Sequence, residues 1–126
     1  MIFGIGTDIV SIKRIEQSLS KFGERFVHRV LNDDEVGEYG KSVHPARFLA
    51  KRFAVKEAFS KAFGTGIGVD VGWHDVAVDH DERGKPLLKT SLPLGSKLAG
   101  HNISAMHVSI SDEPDHAIAF VILEKT

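Results

Sequence analysis

Pro45 and Gly64 bracket an unbroken stretch, Ala46 to Phe63, and no other feature of the chain limits its fold so strongly. Proline is pre-set for the first turn of a helix, and glycine supplies the left-handed residue that stops one. The spacing therefore predicts one long helix. Phe48, Val55, Phe59 and Phe63 give it an apolar stripe, thickened by Leu49 and Ala62. A stripe that broad must be covered, and in a chain of 126 residues the cover has to come from the rest of one domain.

The remaining segments supply that cover. Ile2 to Val10 is rich in β-branched residues, holds two glycines and reads as a buried strand. Ser11 offers an N-cap to a short amphipathic helix carrying Ile12, Ile15, Leu19 and Phe22, which Gly23 stops. Asn32 and Glu35 have capping-box spacing ahead of a second short helix ending near Gly40. Gly64 to Gly68 is a flexible loop. Val76 and Val78 mark a half-exposed strand, Asp81 to Pro86 a hairpin turn, and Leu87 to Thr90 the returning strand. Leu92 to Ala99 is a small helix stopped by Gly100, and Ile103 to Ser111 and Ala117 to Glu124 are strands. The first half is mostly helical and the second half reads as an antiparallel sheet. The expected fold is α+β: a single compact domain over 1–126, with the long central helix packed on a mainly antiparallel sheet.

Composition narrows the function classes. A 42% hydrophobic and 26% charged chain can bury a real core. The net charge of -1, from 16 basic and 17 acidic residues, offers no broad positive field for nucleic acid. There is no cysteine, hence no disulfide, thiolate nucleophile or zinc–thiolate site, which suits a reducing compartment. The N-terminus lacks a basic leader region, and Asp8 interrupts its apolar run. No apolar run approaches the roughly 20 residues that span a bilayer. A soluble, cytoplasmic protein without membrane or nucleic-acid partners is expected.

Two features point to chemistry. Asp8 sits inside an otherwise apolar strand, and a buried carboxylate needs a cation or donors. Alone, it equally suits a helix cap or a strand-end charge that reaches water. Phe53, Glu57 and Lys61 lie at i, i+4 and i+8 along one side of the long helix. Alone, Glu57 and Lys61 equally suit a surface ion pair. Together, Asp8 and Glu57 are the kind of carboxylates that hold Mg²⁺ alongside substrate phosphates. Lys61 offers charge for a phosphate oxygen, with Lys51, Arg52 and Lys56 nearby in sequence. His107 shares a strand face with Ser109 and Ser111; it suits a general base, a phosphate donor or a hydrogen-bonded half-buried histidine. The Gly64–Gly68 loop follows a helix instead of preceding one, which excludes a Walker or Rossmann phosphate loop.

Ile5-Gly6-Thr7-Asp8-Ile9-Val10, followed by Arg52-Phe53-Ala54-Val55-Lys56-Glu57-Ala58-Phe59-Ser60-Lys61-Ala62, resembles the holo-acyl-carrier-protein synthases, the short bacterial type of 4′-phosphopantetheinyl transferase. The resemblance extends through the Gly64 loop, the Gly84-Lys85-Pro86 turn and the Met106-His107-Val108-Ser109-Ile110 strand. It implies transfer of the phosphopantetheine arm from coenzyme A to a serine of apo-acyl carrier protein. Adenosine 3′,5′-bisphosphate leaves, and the product serves fatty acid biosynthesis. It further implies Mg²⁺ on Asp8 and Glu57, and Lys61 on a phosphate oxygen. Arg52, Lys56, Gly64, Gly84 and Pro86 are candidate coenzyme A contacts. The proton acceptor stays open among Glu57, a metal-bound water and His107, with Glu57 or a water it orients preferred. The resemblance also implies a homotrimer with active sites between subunits, which explains how a domain of about 14 Å radius of gyration encloses coenzyme A. Arg14, Lys21 and Arg25 form a basic stripe suited to docking an acidic carrier protein. One departure stands out: Asp112 occupies a position where many relatives have histidine, so no role of that histidine carries over. Two other readings compete: a Mg²⁺-dependent pyrophosphohydrolase using the same carboxylates, and a non-catalytic module that binds an acidic helical protein.

Overall fold

The computed structural model describes residues 1–126. In chain order the elements are β1 (Ile2–Ser11), α1 (Ile12–Phe22), α2 (Glu24–Val30), α3 (Asp33–Gly40), α4 (Pro45–Phe63), β2 (Val76–His80), β3 (Pro86–Thr90), α5 (Leu92–Gly100), β4 (Ile103–Asp112) and β5 (His116–Lys125). Strands β1, β5 and β4 form an antiparallel sheet in that order, and β2 with β3 forms a separate hairpin. The expected antiparallel sheet is thus drawn from both ends of the chain. Its edge strand β1 comes from the half that reads as helical. It pairs with β5 in a register that sets Asp8 opposite Ala119.

Helix α4 lies on one face of this sheet and buries Leu49, Val55, Ala58 and Phe59 completely against it. The sheet answers with small and branched side chains, Ala117, Ala119, Val121 and Leu123, at alternate positions of β5. Large apolar side chains enclosed in this way contribute about 1.5–3 kcal/mol each. The opposite face of the sheet stays open and carries Ile5, Ile9, Ile118 and Phe120.

The caps behave as the sequence dictates. Ser11 accepts from the Arg14 N–H, Gly64 closes α4 in the left-handed region, and the Asn32–Glu35 capping box is reciprocal. Helix α2 has no counterpart in the sequence reading. Gly23, at φ 57°, stops α1 and also starts α2 without any side-chain cap, so the usual start signal is missing there. The β2–β3 turn is tied by the Asp81 carboxylate, which accepts from the Arg83 and Lys85 N–H groups at 2.8 and 2.9 Å. No helix is long and apolar enough to cross a membrane.

Candidate active site

Two glycines deliver the site. A Cβ on Gly4 would lie 1.8 Å from the Ala62 carbonyl oxygen, and one on Gly6 would lie 1.9 Å from that of Ala58. Only glycine lets β1 come this close to α4. Residues 4, 6 and 8 share one strand face. Asp8 is the first on that face with a side chain, and it meets the turn of α4 that carries Glu57 and Lys61. The Lys61 ammonium donates to Asp8 Oδ1 and to the Thr7 carbonyl, each at 3.0 Å. The Asp8 side chain is 16% exposed, that of Lys61 49%.

Glu57 completes the cluster. Burial raises its carboxyl pKa above the ordinary value, the Asp8 charge raises it further, and Lys61 pulls it down. Both carboxylates therefore lie in the field of Lys61, which is hydrogen-bonded to Asp8. The cleft in front of them has a volume of about 480 Å³ and is walled by Arg14, Ser18, Phe26 and Phe53. A pair of carboxylates offering hard oxygen donors fits Mg²⁺. No group of three or more metal-ligating side chains exists, so an ion held by Asp8 and Glu57 would need its other ligands from outside the chain.

The expected cationic neighbours lie elsewhere. Lys56 is fully buried on another side of α4, where it donates to Glu35 Oε1 and to the Trp73 carbonyl, both at 2.6 Å. It has no surface to offer coenzyme A, so its expected role as a ligand contact is corrected to a structural one. Arg52 donates to Glu35 Oε2 at 3.2 Å and to Glu38 Oε2 at 3.1 Å. It nevertheless lines a second cavity, about 310 Å³, together with Lys51, His80, Gly84 and Pro86. Arg52, Gly84 and Pro86 thus meet as a group, but not beside Asp8. Gly64 caps the helix end just beyond Lys61 with φ 102°. His107 stands exposed on the open face of the sheet, hydrogen-bonded to Glu124. That is the face opposite Asp8, so within one protomer His107 cannot reach the Asp8–Glu57 cleft.

On the rim, Arg14 faces the cleft directly. Arg25 shares a neighbouring hollow with Phe22, Phe26 and Arg29. Lys21 lies over the Phe22 ring and opens onto a shallow groove with Lys13. Sequence reasoning gave Glu35 only its capping role and missed its pairing with Lys56 and Arg52, as well as Trp73 and the spacing role of Gly4 and Gly6. Trp73 packs against Phe53 with ring centroids 4.8 Å apart and planes tilted by 38°, backing the cleft wall. The alternation Gly4-x-Gly6-x-Asp8 is the signal that was available: two bare positions followed by a carboxylate on one strand face.

A family model described as 4′-phosphopantetheinyl transferase superfamily matches residues 4–121. The chain belongs to this superfamily. As a phosphopantetheinyl transferase superfamily member it is similar to the holo-[acyl-carrier-protein] synthase of Nitrosospira multiformis, 54% identical over 125 residues, covering 99% of this chain and 100% of the relative. The corresponding protein of Aromatoleum aromaticum is 53% identical, with 99% of both chains covered. Among solved structures, the synthase of Neisseria meningitidis superposes with a TM-score of 0.96 at 46% identity, covering 99% of this chain and 100% of that one. The Bacillus anthracis synthase, solved in complex with CoA (3′,5′-ADP), superposes with a TM-score of 0.83 at 41% identity, covering 100% and 99%.

Proposed function

We infer that this transferase moves the 4′-phosphopantetheine arm of coenzyme A onto a serine of apo-acyl carrier protein. The observation that carries the reading is the Asp8–Glu57–Lys61 cluster, assembled by a glycine-spaced strand on a helix in a chain of this superfamily. The serine oxygen bonds to the β-phosphorus, the bond from that phosphorus to the bridging oxygen breaks, and adenosine 3′,5′-bisphosphate leaves with the oxygen. Mg²⁺ held by Asp8 and Glu57 would supply charge neutralisation at the pyrophosphate. Lys61 holds a phosphate oxygen from the same side. The serine proton goes to Glu57 or to a water that Glu57 orients, since this carboxylate lines the cleft beside Asp8. Arg14 and Arg25, with Phe22 and Phe26 between them, present a basic and partly apolar rim to an acidic helical partner. Lys21 lies further out on the same helix.

The nucleotide end of coenzyme A is placed in the cavity of Lys51, Arg52, Gly84 and Pro86, which combines cations with the apolar walls of Phe48 and Ile110. In one protomer this cavity and the Asp8 cleft open on opposite sides of α4. That separation supports a homotrimer whose sites are each completed by a neighbour. The open apolar face of Ile5, Ile9, Ile118 and Phe120 is a suitable interface, and it would bring His107 towards a neighbour. The holo-carrier product fits use in fatty acid biosynthesis in the cytoplasm.

Intact-mass measurement of apo-acyl carrier protein incubated with this protein, coenzyme A and Mg²⁺ tests the reading. The expected result is a gain of one phosphopantetheine that EDTA abolishes. Coenzyme A hydrolysed without any gain would make the protein a pyrophosphohydrolase; intact coenzyme A and no gain, repeated with a second carrier protein, would make it a binding module.

A further inference from the structure

The second cavity has an internal anion. Asp112, the last residue of β4, lines it beside Lys51. Its Oδ1 lies 3.9 Å from Lys51 Nζ and its Oδ2 lies 3.6 Å from Arg47 Nε. Both distances are within electrostatic range and beyond hydrogen-bond length. Arg47 Nε is buried and has no hydrogen-bond partner at all. The carboxylate therefore damps the field of two cations without satisfying them. The other cavity-lining acid, Glu38, is already committed to Arg52 at 3.1 Å. Asp112 is thus the one carboxylate set against Lys51 and Arg47, which are one turn apart on α4.

We propose that Asp112 is a specificity-determining residue that competes with a ligand phosphate for Arg47 and Lys51 and so limits how tightly the nucleotide end of coenzyme A is held. The proposal rests on the placement of that end in this cavity. Coenzyme A carries three phosphates. Two form the pyrophosphate assigned to Asp8, Glu57 and Lys61, which leaves the ribose 3′-phosphate as the group that enters the Arg47–Lys51 field. A weakened grip at this end suits turnover, because adenosine 3′,5′-bisphosphate keeps that phosphate and must leave after each transfer.

Titration calorimetry of Asp112→Asn with coenzyme A and with dephospho-coenzyme A, in Mg²⁺, tests this. Removing one carboxylate charge a few ångströms from the phosphate should tighten coenzyme A about three- to tenfold. Dephospho-coenzyme A should change less than about twofold, since it carries no charge into that field. Adding Lys51→Met to the variant should erase the gain. A merely structural role would move both ligands alike, so equal shifts, or no tightening of coenzyme A, overturn the assignment. If wild type still modifies the carrier protein in that case, only the role of Asp112 falls. If wild type binds neither ligand and transfers nothing, the function reading falls and takes this role with it.

Discussion

Helix α4 carries two glutamate–lysine clusters that use the same residue types to opposite ends. On one side Glu35 accepts from Lys56, Arg52 and, through its capping box, the Asn32 N–H, and it is 1% exposed. Every charge there has a partner, and the cluster binds α3 and the Trp73 segment to α4. On the other side Asp8, paired with Lys61, and Glu57 stand at the edge of a cleft. The first cluster is closed and balanced. The second is half-open, and its two carboxylates leave oxygen donors facing the cleft for an arriving cation. Residue type does not separate a structural ion pair from a reactive one; enclosure and charge balance do.

The largest effect should come from breaking the closed cluster. Lys56→Ala leaves Glu35 buried with one cation instead of two and opens a void. Removing one partner of a buried ion pair costs about 3–5 kcal/mol, read as a lower midpoint in urea. Cleft residues should show the reverse pattern. Asp8→Ala should cut transfer about a hundredfold or more, by analogy with the loss of groups that stabilise transition-state charge, while circular dichroism shows a native fold. An Asp8→Ala protein that unfolds would make Asp8 a second structural anion.

Glu57→Gln sharpens the contrast through pH. The Glu57 pKa is raised in the folded state, so the folded protein holds this proton more tightly than the unfolded chain. Stability is then lost as pH rises from the ordinary value of 4.5 through the raised one. Glu57→Gln should melt higher than wild type at pH 7, and the gap should close as pH falls to 4.5. Mg²⁺ should raise the wild-type Tm more than that of the variant, as thermal scans with and without the ion would show. The smallest effect is expected at the rim. Arg14→Glu should raise the carrier-protein KM about three- to tenfold at low salt, a difference that shrinks as salt screens the charge, with a smaller weakening of coenzyme A binding by calorimetry because Arg14 also lines the cleft.

Much of the fold was legible in the chain. Pro45 and Gly64 bound α4, Ser11 and Asn32 cap their helices, and the alternation in β4 and the apolar run in β5 mark the strands, because each signal is local. The candidate residues Asp8, Glu57 and Lys61 were legible as anomalies of burial and spacing. Their meeting was not. It depends on Gly4 and Gly6 admitting the carbonyls of Ala62 and Ala58, a packing condition that no single segment announces. The fate of the other cations was equally hidden. Lys56 and Glu57 are neighbours in sequence, yet one turns into the core and the other into a cleft, because a helix turns about 100° per residue. Sequence determined which groups exist, where four of the five helices start and stop, and which strand faces are apolar, since those follow from local geometry and hydrophobic period. Tertiary structure decided which charges are enclosed and paired and which are left facing a ligand, because burial and charge balance are set by segments far apart in the chain.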